Sequence, residues 1–178
     1  MANKRIAIIG AGPAGLMAAE VLSQSSLPDT EIHVFEQKPS AARKFLMAGK
    51  TGLNISHAEN FAQFIQRYDH SEWLKPWVKK WDADWIQNWM KDLGIESYVG
   101  SSGRIFPLEM KTAPLLRAWL KRLLQDGVQF HYRHQVLDLQ SNRLTIQNLL
   151  DEHIFETSFD AIILACGAVS WMRLGSDG

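Results

Sequence analysis

The chain has 178 residues, 46% of them hydrophobic, and its 19 lysines and arginines balance 19 aspartates and glutamates. That length and composition suit one folded domain and oppose disorder, while zero net charge opposes a sequence-independent grip on nucleic acid. A single cysteine, Cys166, excludes an internal disulfide framework and a cysteine-rich zinc site, and no apolar run reaches the ~18 residues of a membrane span.

Lys4–Ile9 reads as a short buried strand. The apolar stretch after Met-Ala-Asn-Lys-Arg is broken by Gly10, Gly12, Pro13 and Gly15, which fits a strand and turn rather than a signal peptide. A cytoplasmic protein is expected. Ala14 to about Ser23 reads as a helix and Glu31–Phe35 as a second strand, which completes a βαβ unit. Residues 40–57 read as a structured loop with one helical turn. From Asn60 to Leu93 the helical period returns, punctuated near Asp69, Pro76 and Asp82, with Gly94 closing the last helix. Gly100–Gly103 is a turn between extended pieces. Thr112 opens a helix that Gly127 ends.

Four extended runs follow: Val128–Tyr132 continuing toward Leu139, Leu144–Gln147, His153–Ser158 and Ala161–Ala165. Short polar links between the middle runs suit antiparallel hairpins, and the apolar Ala161–Ala165 run suits a strand buried on both faces. The predicted architecture is α/β: a Rossmann-like parallel sheet with helices and an inserted antiparallel β-meander. His131 and His134, three apart in one extended run, are expected on opposite faces, and no metal site is read. The closing Gly-Ser-Asp-Gly has no terminal helix or cap after it, so residues 1–178 are expected to be the front portion of a longer protein.

Gly10-Ala-Gly12-Pro-Ala-Gly15 matches G-x-G-x-x-G between a predicted strand and a predicted helix, the context that gives the motif meaning. Gly10 permits the tight turn and Gly12 the approach of a diphosphate to the backbone. Gly15 permits close helix–strand packing, and the helix N-terminus, with Pro13 and Ala14, faces the anion. Glu36, 21 residues after Gly15, ends the second strand, where a carboxylate can accept from both ribose hydroxyls. An acid there suits FAD or NAD and opposes a 2′-phosphate. In the basic loop that follows, Arg43, Lys44 and Lys50 could neutralise a diphosphate, and Gly49 and Gly52 could bring backbone amides to a flat ring. A solvated basic loop is the competing reading.

Five stretches together, Gly10–Gly15, Phe35–Gln37, Arg43–Asn54, Gly100–Pro107 and Cys166–Gly178, resemble a family of bacterial flavoproteins. Its members are described as NAD(P)/FAD-dependent oxidoreductases, or aminoacetone-oxidase-like FAD-binding enzymes. The resemblance implies a glutathione-reductase-type FAD-binding domain, with an inserted domain and a C-terminal closing segment beyond residue 178. It adds Gln37, Leu53 and Asn54, the strand end Ala165-Cys166-Gly167, and Val136 as the residue whose backbone meets adenine. Two departures stand out. Gly52-Leu53-Asn54 replaces the family's Arg-Cys-Asn, which removes any chemistry of that cysteine, and Met172 replaces a proline.

Cys166 is either a redox thiol or, with no CxxC partner and at a strand end expected to be buried, an inert small residue; the second reading is favoured. Trp73, Trp77, Trp81, Trp85 and Trp89 recur every four residues and read as core or as the seat of another domain, with an aromatic platform as the alternative. Arg104 could meet an anionic substrate or simply sit on the surface. The function expected is that of an FAD flavoprotein, an oxidoreductase acting on a small organic substrate with NAD(P)H or oxygen as partner, and without nucleic acid or membrane. The alternatives are a non-catalytic nucleotide-binding fragment and an FAD-dependent RNA-modifying enzyme. No catalytic residue is legible.

Overall fold

In a computed structural model, which describes residues 3–49 and 52–168, the chain divides into two compact units. Its elements in order are β1 (Lys4–Ile9), α1 (Pro13–Ser23), β2 (Thr30–Glu36), α2 (Arg43–Ala48), β3 (Ser56–His57), α3 (Phe61–Phe64), α4 (Ser71–Lys80), α5 (Ala83–Asp92), β4 (Ser97–Val99) and β5 (Arg104–Pro107). Then come α6 (Thr112–Gln125), β6 (Gln129–Tyr132), β7 (His134–Gln140), β8 (Arg143–Asn148), β9 (Ile154–Ser158) and β10 (Ala161–Leu164).

The first unit, residues 1–45 and 120–178, contains a parallel sheet in the order β10-β1-β2-β6 and an antiparallel meander β7-β8-β9. Ile9 stands level with Phe35 on one side and Leu164 on the other, so Gly10, Glu36 and Ala165 leave the sheet at the same end. The meander covers one face of that sheet. Leu144 and Ile146, alternate residues of β8, are buried with Ala7, Ile9, Phe35 and Phe159, as the period-2 geometry of a half-buried strand requires. Helix α1 buries Gly15, Leu16, Ala19 and Glu20.

Several expectations change here. The run from Val128 to Leu139 is not one strand: Arg133 takes a left-handed conformation (φ 57°), so the chain leaves the parallel sheet after β6 and enters the meander as β7. The Arg133 amide donates to the Lys38 carbonyl (3.2 Å) and its carbonyl accepts from Leu149 (2.8 Å), which holds the break in place. His131 and His134 consequently do not point apart; their rings meet edge-on with centroids 5.8 Å apart. Strand β10 pairs with β1 alone among the described residues, so it is an edge strand whose Leu164 is 64% exposed, not a strand buried on both faces. Cys166, expected at a buried strand end, is exposed.

The second unit, residues 46–119, carries the sheet β3-β5-β4 and helices α3, α4 and α5. Helix α4 runs through Pro76 rather than breaking there. The tryptophan stripe splits. Trp89 is buried and meets Trp119 edge-on at 4.8 Å, whereas Trp73, Trp77 and Trp81 are exposed. Among the described residues no helix is long and apolar enough to cross a membrane.

Candidate functional site

A cavity of about 260 Å³ opens in the first unit where the parallel strands end. Gly10, Gly12, Pro13 and Ala14 of the β1–α1 turn line it, together with Glu36, Gln37, Arg43, Lys44, Val136, Ala165, Cys166 and Gly167. The sequence reading had missed Ile9, Phe35, Ser40, Ala42, His134 and Gln135 as lining residues.

The three glycines have distinct duties. Gly10 has φ 103°, and a Cβ on it would sit 2.5 Å from the Ala165 carbonyl oxygen. A Cβ on Gly15 would stand 2.0 Å from the Gly10 oxygen, so Gly15 is a packing residue outside the cavity lining. At Gly12 a Cβ meets nothing within 4 Å. Gly12 is therefore the glycine whose missing side chain leaves room for a ligand, directly before the first turn of α1 with its unsatisfied amides.

Glu36 ties the turn together: Oε2 accepts from the Ala11 amide (3.0 Å) and Oε1 from the Lys38 amide (2.8 Å). Each carboxylate oxygen has a second lone pair, so two further donors can be accepted at the cavity wall. Among the described residues the Arg43 Nε is buried without a hydrogen-bond partner, and Arg43 lines the cavity, as a cationic contact awaiting an anionic or hydroxyl oxygen would. The thiol of Cys166 lies 3.9 Å from the Ile9 carbonyl oxygen.

Val136 enters through its backbone. The Leu149 amide donates to the Arg133 carbonyl opposite it, which makes Gln135, two residues on, the residue whose backbone bonds to Gln147 of β8. Bonding alternates along an antiparallel ladder, so the amide and carbonyl of His134 and Val136 turn outward along the unpaired edge of β7. One outward N–H and one outward C=O make a donor–acceptor pair beside the cavity.

Behind Phe35 lies an aromatic stack. His131 lies parallel to Phe35 at 4.6 Å and to His33 at 5.3 Å, with His33 Nδ1 and His131 Nε2 at 3.1 Å sharing one proton. Burial, then the charges His33, His134 and Arg5 would carry, press the His131 pKa down to about 4, and burial lowers that of His33. Both rings are thus neutral in the fold. A histidine whose folded pKa lies below its unfolded value of about 6.5 contributes stability above that pH. The contribution is lost as pH falls from 6.5 toward 4. The loss is expected to be on the order of 1–2 kcal/mol after discounting for partial exposure, and His131→Phe should flatten it; urea midpoints at pH 7.5 and 4.5 measure both.

Gly49, Gly52, Leu53 and Asn54 belong to the second unit, and Lys50 lies outside the described residues, as does Met172. A Cβ on Gly49 would collide with Thr112 Oγ1 (1.4 Å), Gly52 has φ 117°, and Leu53 is buried. Packing and backbone conformation account for these three. Among the described residues no group of three or more His, Cys, Asp or Glu side chains could hold a metal ion.

The family model for the HI0933-like protein Rossmann domain matches residues 4–178. The chain belongs to that family. This HI0933-like chain is 27% identical over 176 residues to the 3-dehydro-bile acid delta(4,6)-reductase of Clostridium scindens, covering 98% of its own length and 41% of the relative's. It therefore spans less than half of that relative. Among solved structures, the fold matches 3-ketosteroid-delta4-(5alpha)-dehydrogenase from Rhodococcus jostii with TM-score 0.62 at 11% identity, over 95% of this chain and 47% of that one. It also matches the open conformation of a flavocytochrome c3 fumarate reductase with TM-score 0.59 at 14% identity, over 94% and 34%. The proteins named here are oxidoreductases, and the fold they share with this chain is a Rossmann-like domain.

Proposed function

We propose that the cavity binds FAD through its ADP moiety and that the whole protein is an FAD-dependent oxidoreductase acting on a small organic substrate. The observation that carries this is the open space at Gly12 facing the same cavity as the Glu36 carboxylate. The room at Gly12 and the unsatisfied amides of α1 suit a diphosphate, Glu36 suits the ribose hydroxyls, Arg43 adds a cation, and the outward edge of Val136 suits a base. A cavity of about 260 Å³ falls below the ~300–1,000 Å³ of pockets that enclose a drug-sized ligand, which fits half of a dinucleotide rather than all of it. FAD would supply two-electron transfer between the substrate and NAD(P)H or oxygen, and the protein's part is to bind and orient it.

The reading is tested by titrating the chain with FAD and with FMN, which shares the flavin but lacks the AMP half. FAD is expected to bind and FMN not. Equal affinity for both, or for neither, overturns the proposal.

Glu36→Ala should weaken FAD at least about tenfold, since hydrogen bonds to a charged acceptor are worth ~1.5–3 kcal/mol each before water substitutes. Part of that loss would come through the turn, because the Ala11 and Lys38 amides lose their acceptor. Glu36→Gln keeps one oxygen and should fall between wild type and Glu36→Ala. An unchanged dissociation constant by fluorescence titration would place Glu36 outside the binding site.

A further inference from the structure

We propose that the tryptophan stripe of α4 is the interface through which two copies of this chain pair, antiparallel, about a twofold axis at Trp77. Trp73, Trp77 and Trp81 recur every four residues along α4 and its C-cap, and they are 71%, 51% and 42% exposed. Trp77 and Trp81 lie parallel with ring centroids 5.8 Å apart, so they form one continuous aromatic surface. The helix turns a different side to its own unit: none of its residues is buried, and Leu74 and Val78 are its half-buried apolar residues. Three large indoles in a row facing water exceed the scattered apolar exposure of an ordinary surface and mark a contact face.

The charges beside the stripe select its occupant. Lys80 Nζ sits over the Trp81 ring, 4.9 Å from its centroid. A wholly apolar partner laid on the stripe would strip water from that ammonium and offer no counter-charge. Lys75 and Lys79 stand on the far side of the helix, so the stripe lacks the basic rim that an anionic membrane surface would take. A second copy supplies what is needed. Glu72 precedes Trp73 as Lys80 precedes Trp81, and the members of each spacing lie about 12 Å apart along the helix. Turned end over end about Trp77, the other copy sets its Trp73 against Trp81 and its Glu72 beside Lys80. The same contacts repeat at the opposite end, as an isologous interface requires. Glu72, Pro76 and Lys80 share one row at i, i+4 and i+8, so an uncharged proline falls near the axis rather than a like-charge pair. By their exposure the three indoles offer roughly 400 Å² per copy, about half of the ~800 Å² that each side of a stable interface buries. The pairing is therefore moderate, with a dissociation constant on the order of 10 µM.

The test is sedimentation equilibrium of the full chain at low salt, from about 1 to 200 µM. Wild type is expected to pass from monomer to dimer over that range. Trp77→Glu, which sets two carboxylates together at the axis, should stay monomeric. Glu72→Lys and Lys80→Glu should each weaken the dimer about fivefold, because each turns both symmetric pairs into like charges. The double variant Glu72→Lys/Lys80→Glu should restore it, a rescue that only the antiparallel pairing of two copies gives. Glu72 and Lys80 are exposed, so this series keeps the test decisive if Trp77→Glu does not fold. A wild-type chain that stays monomeric at the top of the range overturns the proposal; binding of that monomer to phosphatidylglycerol vesicles would assign the stripe to a lipid surface instead. A dimer indifferent to Trp77→Glu lies on another face and overturns it as well. Single reversals that have no effect, or that the double variant does not rescue, overturn the antiparallel arrangement.

Discussion

Gly12→Val is expected to abolish nucleotide binding while leaving the fold in place. Gly12 sits at φ −76°, ψ 176°, extended backbone that valine adopts without strain, and a Cβ there touches nothing within 4 Å. The branched side chain would instead fill the part of the cavity in front of the first turn of α1. Binding of FAD or ADP should fall at least about 100-fold, a loss of ~2.7 kcal/mol or more, with a thermal midpoint close to wild type. Gly15→Ala should behave in the opposite way. Its methyl would lie 2.0 Å from the Gly10 carbonyl oxygen, and backbone cannot give way as a flexible side chain can. That variant should lose stability first and binding only as a consequence. Titration calorimetry and thermal melts on the two variants separate the cases. A Gly12→Val chain that holds the nucleotide as well as wild type would show that the diphosphate lies elsewhere.

The parts of this site that could be read from the sequence are those set by local chemistry. Three glycines at fixed spacing between an apolar run and an alanine-rich helix leave few other conformations. Glu36 was legible because the period of β2 puts it one residue past the apolar run, beside the turn. What escaped was decided at long range. Arg133 is no turn former, and its left-handed conformation is held by Lys38 and Leu149, far along the chain or across a hairpin. Without that break His131 and His134 fall in one extended run of the sequence, and nothing in the sequence pattern marks the aromatic stack with Phe35. The break also sets the β7–β8 register that turns the backbone of Val136 outward, along the edge that the resemblance assigns to a base. Ile9 ends a strand read as buried, and it is buried, but Ile9 and Phe35 at the ends of β1 and β2 also line the cavity. Ala161–Leu164 misled for the converse reason: an apolar run reports what a strand could bury, not which neighbours it has.

The second large effect is expected far from the cavity, at the buried ion pair between Glu20 of α1 and Arg122 near the end of α6. The Arg122 guanidinium meets Glu20 Oε1 through Nη2, with Gln24 Nε2 at 3.4 Å from the same oxygen. The Glu20 side chain is 6% exposed, so little water reaches its carboxylate. Arg122→Leu removes the cation and leaves the carboxylate buried, a change that costs ~3–5 kcal/mol when one partner of such a pair is lost. For a domain whose total stability is ~5–15 kcal/mol, that is enough to move the urea midpoint far below wild type. The double variant Glu20→Leu/Arg122→Leu removes both desolvation penalties and should recover most of the loss, because well-packed apolar groups replace buried ion pairs at little or no cost. The three variants and wild type form a cycle, read by urea denaturation followed by far-UV circular dichroism. Recovery in the double variant identifies an uncompensated charge as the cause. If the double variant is as unstable as Arg122→Leu, the arginine acts through its packing against α1, and the ion pair contributes little to holding the helices together.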